Sequence, residues 1–409
     1  MTNVKKHWIA VIGLLVVFVF SGALHAADWP QWRGLNRDGK SPGKGLLKSW
    51  PGGGPRLVWQ KSGIGPGFSS ATIADGTVYI TGDKDGELTI TALNLEGKEK
   101  WTAPVSAAYR GQHPGTRSSC VIDDDRLYIM SGLGVVACFN ASNGKKIWSR
   151  SLKELGGRMP RWGYAESVLI YGDMAIVTPG GTRPMAALNK KTGKTIWRSS
   201  GFRARAHYSS AIAVTFEGVP MIIQGSGDGI FAVDPKTGET LWSNNWCSGN
   251  IANCPTPAYS DGYVFWANGY RRGGICLKLS VARGRVKADE AWTTKDMVCH
   301  HGGYVIVDGY IYGNHNGGYS CLDLRTGERK WFERAVRKGS LCYGDGMLYV
   351  FGERGGQAGL LTASPNGTEM KGSFSVKGRG TSWAHPVIAH GRLYLRYDDN
   401  LYCFDIEAK

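Results

Sequence analysis

The sequence predicts an all-β fold, an eight-bladed β-propeller closed by an N-terminal strand. Three observations lead there. A phrase of strand, tight turn and tryptophan recurs along the chain. The tryptophans at 59, 101, 148, 197, 242, 292 and 331 are separated by 42, 47, 49, 45, 50 and 39 residues, the period of a four-stranded propeller blade. The last repeat stops one strand short, and a matching strand precedes the first. The 409 residues are read as a signal peptide over 1–26, an N-terminal extended segment over 27–54 and one propeller over 55–409.

In chain order, Lys5 and Lys6 precede an apolar run from Ile9 to Phe20, followed by small residues and a cleavage point after Ala26 or Ala27. That run is too short for the roughly 20 residues of a membrane-spanning helix. A periplasmic or secreted protein without a membrane span after signal removal is expected. No cysteine directly follows the run, so a lipid anchor is not indicated.

The repeats start with R-L-V-W-Q at Arg56–Gln60. The clearest later copies are Ala92–Trp101, Cys138–Trp148, Ala187–Trp197, Ala232–Trp242 and Cys321–Trp331, the fourth of which reads A-V-D-P-K-T-G-E-T-L-W. In each, Asp or Asn can bond back onto the turn's N–H groups and Gly supplies the positive φ that closes it. The small Ala or Cys at its start leaves room for a ring, and the tryptophan can bury that ring where two blades meet. Eight strand pairs fit the pattern, from 71–81 to 387–396. The seventh unit reads S-P-N-G-T-E-M from Ser364 and has lost its tryptophan. The eighth ends after C-F-D at Asp405, so Arg56–Gln60 is expected to supply its outer strand and remove a sheet edge.

Nine cysteines in an exported chain suggest disulfides, but six occupy packing positions. Cys138, Cys276, Cys321 and Cys403 fill the small slot, and Cys120 and Cys342 align on innermost strands, where they act as small apolar residues. Cys247, Cys254 and Cys299 are left, and a Cys247–Cys254 bridge is one expectation.

Function is expected at the funnel mouth built by loops leading into the inner strands and by turns between the middle strands. His113, His207, His300, His301 and His385 precede or begin inner strands, His315 lies in a middle turn of the same face, and His390 falls on the opposite face. Arg110, Arg117, Arg158, Arg161, Arg203, Arg205, Arg271, Arg272, Arg337 and Arg379 share these loops with Tyr164, Tyr208, Trp383 and Glu166. With a formal charge of +16 over the whole chain, a basic, aromatic funnel follows, suited to an anionic small molecule or glycan, or to a segment of an envelope protein. Export argues against nucleic acid as the partner. The ligand-binding set is Arg117, Arg161, Tyr164, Glu166, Arg205, His207, Tyr208, His300, His301, Trp383 and His385. No catalytic residue and no metal ligand is assigned, because neighbouring residues such as His300 and His301 on a strand point to opposite faces. A monomer is expected.

The repeat resembles the tryptophan-docking motif, A-x-D-x-x-T-G-x-x-x-W, of the quinoprotein-like propellers, a family that includes pyrroloquinoline quinone (PQQ) dehydrogenases and the assembly scaffold BamB. The opening D-W-P-Q-W-R-G, Asp28–Gly34, is similar to the start of secreted PQQ-like repeat proteins. One implication is a PQQ-dependent oxidoreductase, with PQQ and calcium as cofactors and with Trp383 and Arg117, Arg205 or Arg379 around the quinone. Such an enzyme needs an Asp base and a calcium site. Only Glu166 and Asn253 lie near inner-strand starts, and no adjacent Cys-Cys pair exists. Another implication is a BamB-like outer-membrane assembly factor. The reading the residues favour is a non-catalytic binding or scaffold protein.

Overall fold

The computed structural model describes residues 27–408; the expected signal peptide, 1–26, lies outside the described residues. Eight antiparallel sheets follow one another along the chain, and the only helical element among the described residues is a single 3-10 turn at Leu152–Leu155. Each blade runs from an inner strand outward. Blade 1 comprises Thr72–Ala74, Thr77–Lys84, Glu87–Asn94 and Glu99–Ala107. In blade 8, Val387–Ala389, Arg392–Tyr397 and Asn400–Asp405 are joined by Leu57–Ser62 from the N-terminal side, with Trp59 opposite Cys403. The ring therefore closes with the first long strand, as the truncated last repeat requires.

Packing explains the repeat. Trp101 lies cross-strand from Ala92, Trp148 from Cys138, Trp197 from Ala187, Trp242 from Ala232 and Trp331 from Cys321, each beside a bulge. The small slot thus makes room for the blade's own indole. That indole then reaches the next blade: Trp59 Nε1 donates to Leu95 O at 2.8 Å, Trp148 to Lys190 O at 3.0 Å, Trp197 to Pro235 O at 2.9 Å and Trp331 to Ser364 O at 2.7 Å. In the first three of these the turn's Asp or Asn holds that carbonyl in place, and in blade 7 Ser364 supplies it without one. Asp234 Oδ1, for example, accepts from the N–H groups of Lys236 and Thr237.

The N-terminal segment fills the propeller's axis. Trp29 bridges to Ile73 in blade 1, and Ile122 N of blade 2 donates to Pro30 O. Arg37 donates to the carbonyls of Ser167 and Val168 in blade 3 at 2.9 Å each, and Arg33 donates to Tyr304 O in blade 6. Lys40–Ser41 then pairs in parallel with the inner strand Gly339–Gly344 of blade 7. Both guanidinium groups are buried, which neutral hydrogen bonding to carbonyls makes tolerable. This plug ties the inner strands together and closes the channel below Trp32.

All nine cysteines are free. The expected Cys247–Cys254 bridge is not formed: Cys247 turns to the Gly227 carbonyl, while Cys254 faces the axial cavity. The six thiols read as packing residues are buried.

Candidate functional site

At the face where loops lead into the inner strands, the propeller opens into a cavity of about 220 Å³. Its floor is Trp32, lifted there by the plug and fixed by an indole hydrogen bond to Thr256 Oγ1 at 2.9 Å. One wall is a continuous stack of rings. Phe68 lies on Trp383 at 4.3 Å between centroids, Trp383 on His301 at 4.2 Å, and His301 on His300 at 3.6 Å; Tyr270 meets His300 edge-on at 4.7 Å. Trp162 and Tyr208, 5.8 Å apart, form another part of the lining.

The residues expected to bind ligand fall into two groups. Arg117, Tyr208, His300, His301 and Trp383 line the cavity. The others stand behind or beside it. Tyr164 is buried, with its hydroxyl on Pro179 O. Glu166 is buried and accepts from Thr178 N at 2.5 Å; burial raises its carboxyl to about 7 against the pull of Thr178 and Arg37. His385 lies under the floor, against Trp32, and donates from Nε2 to His301 O at 2.9 Å. His207 is buried, with Nδ1 accepting from Asn253 Nδ2 at 2.9 Å. The Arg161 guanidinium sits over the Trp162 ring. Arg205 is tied to Asp228 at 2.7 Å, so its fork is already occupied.

The funnel is consequently less basic than composition suggests. Lys338 is also neutralised, by Glu353 at 2.7 Å, and Trp383 Nε1 donates to the same carboxylate at 3.0 Å. Arg117 differs. It lines the cavity, its Nη2 is held by the carbonyl of His113, and its Nη1 is buried with no hydrogen-bond partner among the described residues. Sequence reasoning missed Trp32, Phe68, Trp162, Tyr270 and Glu353. Trp32 was visible within D-W-P-Q-W-R-G, but nothing in the pattern says that this segment enters the channel.

His300 and His301 do not obey the strand alternation expected of them. They sit in the bend before Tyr304–Val307, where the backbone is free of the pleat, and both rings line the same cavity. Burial, with the Lys338 charge second, pushes His300 down to about 4, and burial holds His301 well below the usual imidazole value, so both are neutral at pH 7.

These features define a plugged, tryptophan-docked propeller with a ring-lined axial cavity. Residues 45–160 and 89–333 match the family described as outer membrane protein assembly factor BamB, and the chain belongs to this PQQ-like repeat family. A quinoprotein ethanol dehydrogenase of Pseudomonas aeruginosa is 28% identical over 152 residues, 34% of this chain and 24% of that protein. BamB of Bordetella pertussis is 27% identical over 145 residues, 36% of this chain and 34% of that protein. The matches thus span about a third of those relatives' lengths at most. Among solved structures, BamB from Moraxella catarrhalis superposes with a TM-score of 0.63 at 16% identity, covering 86% of this chain and 98% of that one. Quinohemoprotein alcohol dehydrogenase from Comamonas testosteroni gives 0.63 at 12% identity, covering 93% and 81%. At these identities the structures establish a shared fold.

The lining does not fit a calcium–quinone pair. Calcium takes about six to eight oxygen ligands, mostly carboxylates and carbonyls. Among the described residues the cavity offers one carboxylate, Glu353, which Lys338 and Trp383 already hold, and no aspartate lines it.

Proposed function

We propose that this protein is an extracytoplasmic binding propeller that holds a small anionic group, such as one acidic sugar unit of a glycan, in its ring-lined cavity. The observation that carries this reading is the buried, unpartnered Nη1 of Arg117 beside flat aromatic faces. An unsatisfied buried donor is costly and is relieved by an acceptor from a ligand. Tryptophan and tyrosine faces suit the apolar side of a sugar ring, and the guanidinium fork suits its carboxylate. The volume lies below the roughly 300–1,000 Å³ of a drug-sized site, so one ring-sized moiety is the expected occupant. An extracytoplasmic setting is supported by the leader-like start of the sequence and by kinship with an outer-membrane assembly factor.

Calorimetric titration of uronate oligosaccharides, with neutral sugars as controls, tests the reading. Arg117→Gln should weaken acidic ligands by about tenfold or more, the worth of a charge-assisted hydrogen bond, while the melting temperature holds. Equal binding of acidic and neutral sugars, or an unaffected Arg117→Gln, would remove it.

A BamB-like assembly role is the second reading, supported by the family match and by near-complete coverage of a solved BamB chain. Co-purification with outer-membrane assembly components distinguishes it. The PQQ-dependent oxidoreductase reading rests on the names of relatives such as the ethanol dehydrogenase and not on the donors lining the cavity.

A further inference from the structure

We infer that Cys254, His300 and His301 form a three-ligand site for a thiophilic transition-metal ion, Zn²⁺ or Cu⁺, with a fourth position open to the axial cavity. Cys254 comes from the loop before blade 5 and the histidines from the loop before blade 6. The sulfur and one nitrogen of each ring all lie within 4.8 Å of one another. Around a tetrahedral zinc ion with ordinary bond lengths, such donor atoms stand about 3.5 Å apart. Closing the site therefore takes side-chain movements of about an ångström.

Two further observations point to an ion. Nε2 of His300 and Nδ1 of His301 are buried and have no hydrogen-bond partner among the described residues, an unusual state for two adjacent imidazoles. His301 is stacked between Trp383 and His300, and its backbone carbonyl accepts from His385 Nε2. One sulfur and two imidazoles, with a single carboxylate nearby, favour zinc or cuprous ion over calcium or magnesium.

Binding replaces the thiol proton of Cys254, which leaves to solvent, with the metal–sulfur bond. Burial pushes the Cys254 thiol up to about 12 and the nearby Arg117 and Lys338 charges offset this only in part, so the metal itself must displace the proton. Lys338 Nζ is 3.2 Å from Nδ1 of His300. Ligation through Nε2 puts a proton on Nδ1, so the ammonium must then turn wholly to Glu353, its existing partner. The site is independent of the acidic-sugar reading, although a bound ion would give an anionic ligand a second anchor.

The test uses the metal alone. Chelator-treated full-length mature protein is titrated with Co²⁺, followed by Zn²⁺ competition, and in parallel with Cu⁺ against a chromophoric chelator under anaerobic conditions. One equivalent should bind, with a thiolate-to-cobalt charge-transfer band that Zn²⁺ abolishes. Cys254→Ser should remove the band, and His300→Gln and His301→Gln should each weaken binding by about tenfold or more. Metal-free melting temperatures of these variants, and of Cys254→Ala, should match the parent and so separate lost ligation from lost folding. No stoichiometric binding of any of the three ions, or a band that survives in Cys254→Ser, would overturn the site.

Discussion

At the residue scale, the docking glycines show how closely local chemistry and packing are coupled. Gly238 has a φ of 75°, and a Cβ there would come within 2.4 Å of the Trp197 ring, so the position forbids a side chain twice over. Gly97, Gly144, Gly193 and Gly327 sit in the same way on Trp59, Trp101, Trp148 and Trp292. Gly76 has a φ of 69° but faces open space. Gly76→Ala should cost only the left-handed penalty, about 1–2 kcal/mol. Gly238→Ala should cost that and a further 1–3 kcal/mol, roughly, for displacing a packed indole. Denaturant melts of the two variants check the difference, and equal losses would mean that the ring yields freely. Site residues are harder to read at this scale. Arg117 and Arg205 look alike in sequence, each in a basic loop, and what separates them is Asp228, which neutralises only Arg205.

At the element scale, the docking motif varies where the next blade varies. Trp242 is buried like Trp197, yet its Nε1 has no partner among the described residues, whereas Trp197 donates to Pro235 O at 2.9 Å. The reason lies in blade 5. Its outer hairpin, Gly273–Ala282 and Arg285–Thr294, runs on through ten-residue strands and lacks the Asp-x-x-Thr-Gly turn whose carbonyl would accept the proton. Trp197→Phe should therefore lose a hydrogen bond and leave a carbonyl unpaired, costing about 1–3 kcal/mol more than Trp242→Phe. Thermal or chemical unfolding of both variants decides this, and a larger loss for Trp242→Phe would contradict it. The blades were legible because each repeat carries its own turn and ring. The cavity was legible only in part: Tyr208, His300, His301 and Trp383 lie close to recognisable inner strands. Trp32 arrives from a segment with no repeat, and the path of that plug depends on Arg33 and Arg37 finding carbonyls in blades 3 and 6.

At the scale of the whole molecule, the closed channel turns the funnel's histidines into a pH liability. Burial pushes His207 down to about 4 and His385 to about 3; Arg205 adds to the first shift and Arg33 to the second. His385 shows why in atoms. Its Nε2 proton is committed to His301 O, and Nδ1 faces Arg33 Nη1 at 3.4 Å, so a second proton would meet a guanidinium. An unfolded chain protonates these rings near 6.5. Between about pH 6.5 and 4 the unfolded state therefore binds more protons, and stability is complete above that window and lost as the pH falls through it. Glu166 works in the opposite sense. Its carboxyl, raised to about 7, stays protonated in the folded protein while the unfolded chain ionises near 4.5, so it favours folding more as the pH falls across that range. Asp83, whose carboxyl burial raises to about 6, works in the same sense as Glu166, so these two carboxyls largely offset His207 and His385. His300 and His301 act in the same direction as His207. The melting temperature of chelator-treated protein should thus fall between pH 6.5 and 4.5, less steeply for His385→Gln and more steeply for Glu166→Gln. A melting temperature that stays level or rises on acidification would mean that the imidazoles under the plug accept protons in the folded state, and that the channel is open to water where Trp32 and Arg33 close it.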